Sequence, residues 1–240
     1  HHVRLGGTAE QGIERCQGHI FCVDFLFNTV PKKMVGCRRN RLKYSPGMLK
    51  SDRWIRENAF AGMIVPFEPK SMRFFDNKPA ISYGLSSYGY DIRLSSRDFR
   101  TFRHIPGTIV DPKNFSPDNL EPAPLHTDGQ GYYFILPAHS YGLGVAVEAL
   151  EVPDNITVLC IGKSTYCRCG IVANLSPAEA GWKGHLTLEF SNSSHADTRI
   201  YANEGVVQLL FFEGDPCDIT YATRSGKYQS QAEEVTIARA

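Results

Sequence analysis

Short, strongly patterned segments dominate the chain after Gly62. Apolar residues there come in brief runs or alternate with polar ones, and Gly, Pro, Asn or Asp interrupts each run. Such alternation is typical of half-buried β-strands. The pattern predicts strands at 64–66, 80–83, 90–94, 99–103, 108–110, 132–136, 141–149, 157–161, 171–174, 185–191, 198–201, 206–212 and 218–221. A chain of this kind is expected to fold as a mainly β protein, a β-barrel or jelly roll with a few short helices.

One helix is predicted immediately before the strands. Ser51 is a suitable N-cap, Asp52 favours the first turn, and Gly62 can end the helix. Trp54 and Ile55, together with Ala59 about one turn later, give the helix an apolar face that can be buried. The sequence therefore predicts an amphipathic helix that packs against the strands.

Residues 1–47 show no apolar periodicity and carry a basic cluster between positions 32 and 43. A basic arm of this kind can bind nucleic acid or direct targeting; the alternative is an extension without a fold of its own. We favour the extension, either disordered or not native, with Met48 as the start of the domain. We therefore expect a β domain at 48–240, in which residues from about 224 to 240 form a C-terminal lid.

Composition and charge argue against several classes of protein. The formal net charge of +1 gives no electrostatic footprint for nucleic acid. Seven cysteines without the spacing of a disulfide scaffold indicate reduced thiols and a cytoplasmic setting. No apolar run is long enough to span a bilayer. We expect a cytoplasmic protein with neither nucleic acid nor a membrane as its partner.

The segment 162–170, GKSTYCRCG, has the features of a phosphate-binding loop. It follows an apolar strand, and Ser164 and Gly170 occupy the N-cap and C-cap positions of a short helix. Free backbone N–H groups at such a turn suit anions, and four side chains add donors for phosphate oxygens: Lys163, Ser164, Thr165 and Arg168. The alternative is that the segment only caps a helix. A P-loop does not fit, because Thr157 stands where that motif requires glycine.

Two further polar segments are ambiguous from the sequence alone. Asp91 and Arg93 are two positions apart on a strand, so they share a sheet face. They form either a structural ion pair or part of a charged site. Residues 226–231, GKYQSQ, combine a glycine with polar and aromatic side chains. This segment is either a lid over a ligand or a frayed terminus.

Five segments together resemble the dCTP deaminase family, a branch of the trimeric dUTP pyrophosphatase-like β fold. They are SSYGYDIRL at 86–94, GKSTYCRCG at 162–170, GWKGHLTLEFSN at 181–192, EGVVQLLFF at 204–212 and SGKYQSQ at 225–231. They occur in order and at compatible spacing, and the resemblance covers residues 48 to about 237. It implies a homotrimer with active sites at the subunit interfaces.

The resemblance also implies which residues act. It implies that Glu189 is the general acid/base, supported by Arg168 and Ser164 of the loop and helix that hold the triphosphate. The substrate-binding positions that it implies are Lys163, Ser164, Thr165, Tyr166, Cys167, Arg168, Thr187, Leu188, Gln208, Tyr221, Lys227 and Gln231. We add two hypotheses: Pro177 lends a carbonyl to the attacking water, and Glu179 contacts the ribose.

The implied reaction is the hydrolytic deamination of dCTP to dUTP and ammonia, which feeds dUMP and dTMP synthesis. Magnesium is implied to enter with the triphosphate, and dTTP is implied as an inhibitor. No zinc is expected, since the chain lacks the H-x-E and P-C-x-x-C pattern of zinc deaminases. Cys167 and Cys169 are spaced one residue too tightly for that pattern, so we interpret both as buried packing residues. Proton transfer then falls to Glu189, whose pKa would need to be raised by burial.

Two alternative functions remain. The first is a dUTP pyrophosphatase, alone or as the second activity of a bifunctional enzyme. The pyrophosphatase relatives carry an aspartate in the turn before the Gly-aromatic step, and residues 174–181 contain none, so deamination alone is favoured. The second alternative is a nucleotide-binding trimer without catalytic activity.

Overall fold

The computed structural model describes residues 47–239. The predicted extension at 1–47 lies outside these residues except for its last position. The described helices are α1 (Asp52–Phe60), α2 (Ser164–Cys167) and a 3-10 turn at Pro117–Asn119. The strands are β1 (Ile64–Val65), β2 (Ser71–Phe75), β3 (Lys78–Leu85), β4 (Tyr90–Phe102), β5 (Leu120–Pro122), β6 (His126–Asp128), β7 (Gly131–Leu136), β8 (Tyr141–Glu151), β9 (Ile156–Gly162), β10 (Ile171–Ala173), β11 (Lys183–Asn192), β12 (Thr198–Tyr201) and β13 (Gly205–Glu213). This confirms the prediction of a mainly β fold with few short helices.

Helix α1 confirms the predicted amphipathic helix. Ser51 precedes it in an extended conformation, although its side chain makes no capping hydrogen bond. Ile55 and Ala59 are buried and belong to the main hydrophobic core. Gly62 has a φ of 105°, a region that favours glycine, and the chain turns there into β1. The helix therefore covers one edge of the core.

A curled antiparallel sheet carries most of the fold. Its strands follow the order β10-β11-β8-β4-β13-β9. β4 pairs with β13 through its first residues and with β8 further along. A register shift between Leu94 and Phe99 accompanies the pairing with β8. One long strand thus joins the β8–β11 half of the sheet to the β13–β9 half.

The hydrophobic core lies between this sheet and a smaller one, β12-β7-β6. The ring of Phe99 in β4 stacks on Phe134 of β7 with 4.9 Å between ring centroids. It also stacks on Phe190 of β11 at 6.0 Å. Because Phe190 is buried here, its neighbour Glu189 must point to the opposite face of β11.

Some strands differ from the sequence-based expectation. Strands β2, β5 and β6 were not expected, and β2 is largely exposed, so no burial pattern marks it. The strands predicted at 108–110 and 218–221 are wrong, since both segments are irregular. Their apolar residues suggested strands, but a strand needs a partner edge, and Ile109 is instead 92% exposed. Within residues 47–239, no helix is long and apolar enough to cross a membrane.

Candidate active site

A cavity of about 740 Å³ lies beside β11. Strand β11 lines it together with the turn 175–182 and a C-terminal segment, which we define as residues 221–239. The cavity brings together the following residues that were singled out from the sequence: Pro177, Glu179, Thr187, Glu189, Tyr221, Lys227 and Gln231. It is the natural place to look for a bound small molecule.

Alternation along β11 explains how Glu189 reaches this cavity. Leu188 and Phe190 are buried on the core side of the strand, and Leu186 is buried but also lines the cavity. Thr187 and Glu189, two positions apart, share the other side and line the cavity. The side chain of Leu188 therefore lies in the core, and only its backbone is available to a ligand.

The carboxylate of Glu189 is half-buried, and among the described residues none donates a hydrogen bond to it. Burial raises the pKa of this carboxyl above the ordinary glutamate value. Tyr141, which also lines the cavity, has its pKa raised first by burial and then by the negative charge of Glu189. A carboxyl with a raised pKa can exchange a proton nearer to neutral pH than an ordinary one.

The C-terminal segment is held against β11 by backbone and side-chain hydrogen bonds. Thr187 Oγ1 donates to Gln231 Oε1 at 2.9 Å and accepts from the backbone N–H of Thr236 at 3.1 Å. The N–H of His185 donates to the carbonyl of Gln231 at 3.0 Å. Gly184 makes this approach possible, because a Cβ there would lie 2.5 Å from the nitrogen of Gln231. The segment is therefore packed over the cavity rather than frayed.

Aromatic residues fix the beginning of the same segment. The hydroxyl of Tyr221 accepts a hydrogen bond from the N–H of Tyr228 at 2.9 Å. Trp182 Nε1 donates to the carbonyl of Tyr228 at 2.8 Å. Gly226 passes so close to the ring of Tyr221 that a Cβ would lie 2.1 Å from Cε1. The chain thus folds tightly around Tyr221 before it crosses the cavity.

A charged pair stands at the wall of the cavity. Arg224 Nη2 donates to Glu179 Oε1 at 2.5 Å, and the guanidinium lies 5.1 Å from the centroid of the Tyr221 ring. Lys227 Nζ approaches the carbonyl of Arg239 at 3.4 Å. The predicted ribose contact, Glu179, is therefore already paired with a cation that the sequence had not singled out.

Other cavity residues also escaped the sequence analysis. They include Phe102, Phe115, Tyr141, Trp182 and Arg224. Trp182 lies within one segment of the family resemblance and Arg224 adjoins another, so proximity in sequence could have suggested them. Phe102 and Tyr141 come from distant strands and meet edge to face at 5.4 Å. Nothing local in the sequence marks these two as neighbours of Glu189.

The predicted phosphate-binding residues do not line this cavity. Lys163, rather than Ser164, holds the N-cap position of α2, so the predicted cap is wrong by one residue. Ser164, Thr165 and Arg168 are exposed. Arg168 Nη1 lies 3.4 Å from Ser164 Oγ. One copy of the chain therefore presents the carboxylate of Glu189 and these exposed donors in two separate places.

Tyr166 and the cysteines show how α2 sits on the fold. Tyr166 is buried, and its hydroxyl accepts a hydrogen bond from the N–H of Tyr201 at 2.9 Å. Cys167 and Cys169 are exposed, so their interpretation as buried packing residues is wrong. The single buried tyrosine anchors the helix, which leaves both thiols at the surface. Gly170 has a φ of 79°, a region that favours glycine, but the C-cap of α2 is Arg168, so the predicted C-cap at Gly170 is wrong by two residues.

The remaining predicted residues lie on strands β4 and β13 of the large curled sheet. Gln208 is half-buried on β13, and its Nε2 lies 3.4 Å from Ser86 Oγ. Asp91 and Arg93 share a strand, but each pairs elsewhere: Asp91 with Lys163, and Arg93 with Glu148. Within residues 47–239, no group of three or more His, Cys, Asp or Glu side chains is placed to hold a metal ion.

Comparison with known proteins gives the family. Residues 50–214 match the family model described as dCTP deaminase-like. The dCTP deaminase of Campylobacter curvus is 47% identical over 193 residues, which span 80% of this chain and 97% of that protein. That of Chromobacterium violaceum is 48% identical over 194 residues, or 80% of this chain and 98% of that protein. The chain belongs to the dCTP deaminase family.

The dCTP deaminase family is a family of enzymes, and its model covers Glu189, helix α2 and strand β13. The relatives are covered over nearly their whole length, so the similarity extends beyond a single motif. In this member of the dCTP deaminase family, the cavity beside β11 and the surface of α2 are therefore the two candidate regions of the active site.

Proposed function

We propose that the chain catalyses the hydrolytic deamination of dCTP to dUTP and ammonia. The observation that carries the proposal is the half-buried carboxylate of Glu189, which faces a cavity of about 740 Å³ with its pKa raised by burial. The carboxylate lies on the strand whose sequence, HLTLEF, carries part of the family resemblance. The names of the relatives supply the substrate.

The proposed chemistry needs one carboxylate that both accepts and donates a proton. The oxygen of a water molecule attacks C4 of cytosine while Glu189 takes a proton from that water. Glu189 returns the proton to ring nitrogen N3, and a second transfer carries the remaining water proton to the amino group. The C4–N4 bond then breaks and ammonia leaves, so that water and dCTP give dUTP and ammonia. A carboxyl with a raised pKa serves both directions of transfer.

The proposed route uses no zinc, and magnesium belongs to the substrate. The donors of α2 are the hydroxyls of Ser164 and Thr165 in the helix and the guanidinium of Arg168, its C-cap. Hydroxyl and guanidinium donors suit phosphate oxygens, whereas magnesium prefers carboxylates and the phosphates themselves. The residues present therefore fit a triphosphate that brings its own magnesium. The role of this chain is to bind and orient that triphosphate.

We further propose a homotrimer in which a second copy completes each site. The donors of α2 and the carboxylate of Glu189 are separated in one copy, as described above. The outer face of β9 and β13 is also apolar: Leu159 is registered opposite Leu210, and Leu159 and Ile161 are 39% and 42% exposed. An apolar sheet face of this kind can be buried against another subunit.

The first experiment measures ammonia release from magnesium dCTP in the presence of a zinc chelator. We expect wild-type protein to release ammonia and dUTP in equal amounts. Glu189→Gln should lower kcat by at least about 10²-fold, the usual contribution of a general acid/base. Glu151→Gln is the matched control, because Glu151 is an exposed carboxylate on the neighbouring β8, paired with Lys183 and outside the cavity.

Other outcomes would assign a different function. Loss of activity with the chelator would refute the zinc-free route. Pyrophosphate released from dUTP without ammonia from dCTP would identify a dUTP pyrophosphatase, and both products together a bifunctional enzyme. Nucleotide binding without either product would leave a non-catalytic trimer. Inhibition by dTTP and a cytoplasmic location remain predictions, to be checked by adding dTTP to the same assay and by cell fractionation.

A further inference from the structure

The side chain of Lys163 is committed to two partners inside the protein. Its Nζ donates to Asp91 Oδ2 at 2.6 Å and to Ser82 Oγ at 3.1 Å. Only 12% of the Lys163 side chain and 8% of the Asp91 side chain are exposed. An ammonium has three N–H donors, so two of them are occupied and the charge is already neutralised by a carboxylate. Lys163, the N-cap of α2, is therefore unlike the exposed Arg168, which is the C-cap of the same helix.

Sheet register places Asp91 close to the start of α2. Asp91 of β4 lies opposite Gln208 of β13, and the adjacent Val207 lies opposite Gly162, the last residue of β9. Lys163 follows directly and is the N-cap of α2. A carboxylate from two strands away is thus aimed at the residue that connects β9 to the helix.

We propose that Asp91 is a positioning residue that fixes Lys163 and, through it, the start of α2 on which the triphosphate would bind. This inference rests on the proposed function. The ion pair ties the connection after β9 to strand β4, so Ser164, Thr165 and Arg168 leave the sheet in one defined direction. Preorganised donors lose less entropy when an anion binds, which improves affinity without a new contact.

The buried carboxylate of Asp91 depends on Lys163 for its charge pairing. Its second oxygen, Oδ1, is buried and has no hydrogen-bond partner within the described residues. The sheet itself therefore does little to satisfy the carboxylate, whose side-chain hydrogen bond within the described residues comes from Lys163 Nζ to Oδ2. A buried carboxylate that depends on one lysine keeps that lysine in place, because separation would leave a charge unpaired.

Glu148 offers a matched control on the neighbouring part of the sheet. It is fully buried and accepts hydrogen bonds from Arg93 N at 2.9 Å and Arg93 Nε at 2.7 Å. No hydrogen bond or ion pair joins either residue to the segment 162–170. Glu148→Gln therefore removes a buried charge from the same sheet without loosening Lys163, and it reports what simple destabilisation does to the reaction.

The test compares Asp91→Asn and Glu148→Gln with the wild-type full chain. Asp91→Asn replaces an ion pair with a weaker hydrogen bond from the Lys163 ammonium to a neutral amide oxygen, so we expect KM for magnesium dCTP to rise about tenfold with kcat little changed. Glu148→Gln should lower the thermal midpoint and leave KM unchanged. Hydrogen exchange of the peptide 162–170 should become faster in Asp91→Asn only.

The sign of the KM change decides between two roles for Lys163. If Lys163 bound the triphosphate without help from Asp91, neutralising the neighbouring carboxylate would leave the site more positive, and KM would fall. A lower or unchanged KM in Asp91→Asn with unchanged exchange at 162–170 would overturn the proposal. A double variant, Asp91→Asn with Lys163→Met, should have the same KM as Lys163→Met alone, because Asp91 acts through Lys163. If the two substitutions instead raised KM independently, so that their fold-changes multiplied in the double variant, the proposal would also be overturned.

The proposed function and the positioning role of Asp91 would be refuted by different results. Absence of ammonia release by wild-type protein would refute the proposed function. The exchange measurement still decides the positioning role in that case, because it reports the order of α2 without any turnover. Faster exchange in Asp91→Asn than in Glu148→Gln supports the role, and equal exchange in the two variants overturns it.

Discussion

Glu189 is a carboxylate whose environment favours its neutral form. Burial raises its pKa, so the native state holds the proton more tightly than the unfolded chain, in which the pKa is about 4.3. Between these two values the unfolded state has already released a proton that the native state retains. The free energy of unfolding therefore falls as the pH rises through this window, and it stays lower above it. The ionised carboxylate thus lowers stability at the pH where it would act.

The pH dependence of Glu189 gives a residue-scale prediction. The ionised form must accept a proton from water, so kcat/KM should fall as the pH drops through the raised pKa of Glu189. The midpoint of this acidic limb should lie above about 4.3, the value of an unperturbed glutamate. Rate profiles and thermal melts over a common pH range provide the measurement.

The same measurements on two variants test the assignment. Glu189→Gln should have a higher thermal midpoint than wild type above the raised pKa, because it removes an unpaired, half-buried charge. Glu151→Gln, whose carboxylate is exposed, should keep the wild-type acidic limb. An acidic limb at the ordinary glutamate pKa, or a Glu189→Gln protein less stable than wild type, would contradict this account.

At the scale of elements, the C-terminal segment depends on close backbone packing. Gly226 lies against the ring of Tyr221, and a Cβ would come within 2.1 Å of it. Gly226→Ala should therefore displace the segment from the cavity and lower kcat/KM for dCTP, while the β core remains folded. The measurements are steady-state kinetics and the rate of proteolysis between residues 226 and 239.

Gly214→Ala is the control for this prediction. Among residues 47–239, no atom outside its chain neighbours lies within 4 Å of the position that its Cβ would take, so the substitution should change neither proteolysis nor kinetics. Further along the segment, Val235 N donates to Asp98 Oδ2 at 2.8 Å, and Ser95 Oγ donates to Glu233 Oε1 at 2.7 Å. If Gly226→Ala were cleaved as slowly as the wild-type protein, the hydrogen bonds of Val235 and Glu233 would be sufficient to hold the segment in place.

The same elements show what a sequence can predict. The pattern of HLTLEF predicted a strand at 185–191, and residues two positions apart in a strand, such as Thr187 and Glu189, share one face because side-chain direction follows from local geometry. The pairing of Lys163 with Asp91 could not be predicted, since it depends on the register of β4, β13 and β9. For the same reason the C-terminal segment remained ambiguous: its contacts with β11 join residues far apart in the chain.

At the scale of the whole molecule, we propose that the folded domain begins near Met48. Leu49 forms a bridge with Phe212, and Lys50 pairs with Glu213, so the chain is attached to β13 from this point on. The dCTP deaminase of Campylobacter curvus is covered over 97% of its length by an alignment that spans 80% of this chain.

Removal of residues 1–47 tests this boundary. We expect kcat/KM for dCTP and the thermal midpoint to be unchanged, because the attachment of Leu49 and Lys50 to β13 is kept. The comparison needs the shortened and the full chain in one buffer, with kinetics and melting measured on both. A shortened chain that aggregates or loses activity would place part of the extension within the functional domain.

The shared site can be tested by mixing two inactive proteins. In the proposed homotrimer, Glu189 comes from one copy and the donors of α2 come from its neighbour, because one copy holds them apart. Glu189→Gln trimers and Arg168→Met trimers should each have little activity. After the two are unfolded together and refolded as a mixture, random assortment should restore about a quarter of the sites. Ammonia release should rise accordingly, whereas refolding each protein alone should restore none. If the mixture stays inactive although light scattering shows trimers, both residues act within one copy, and the site must close by a movement of α2 instead.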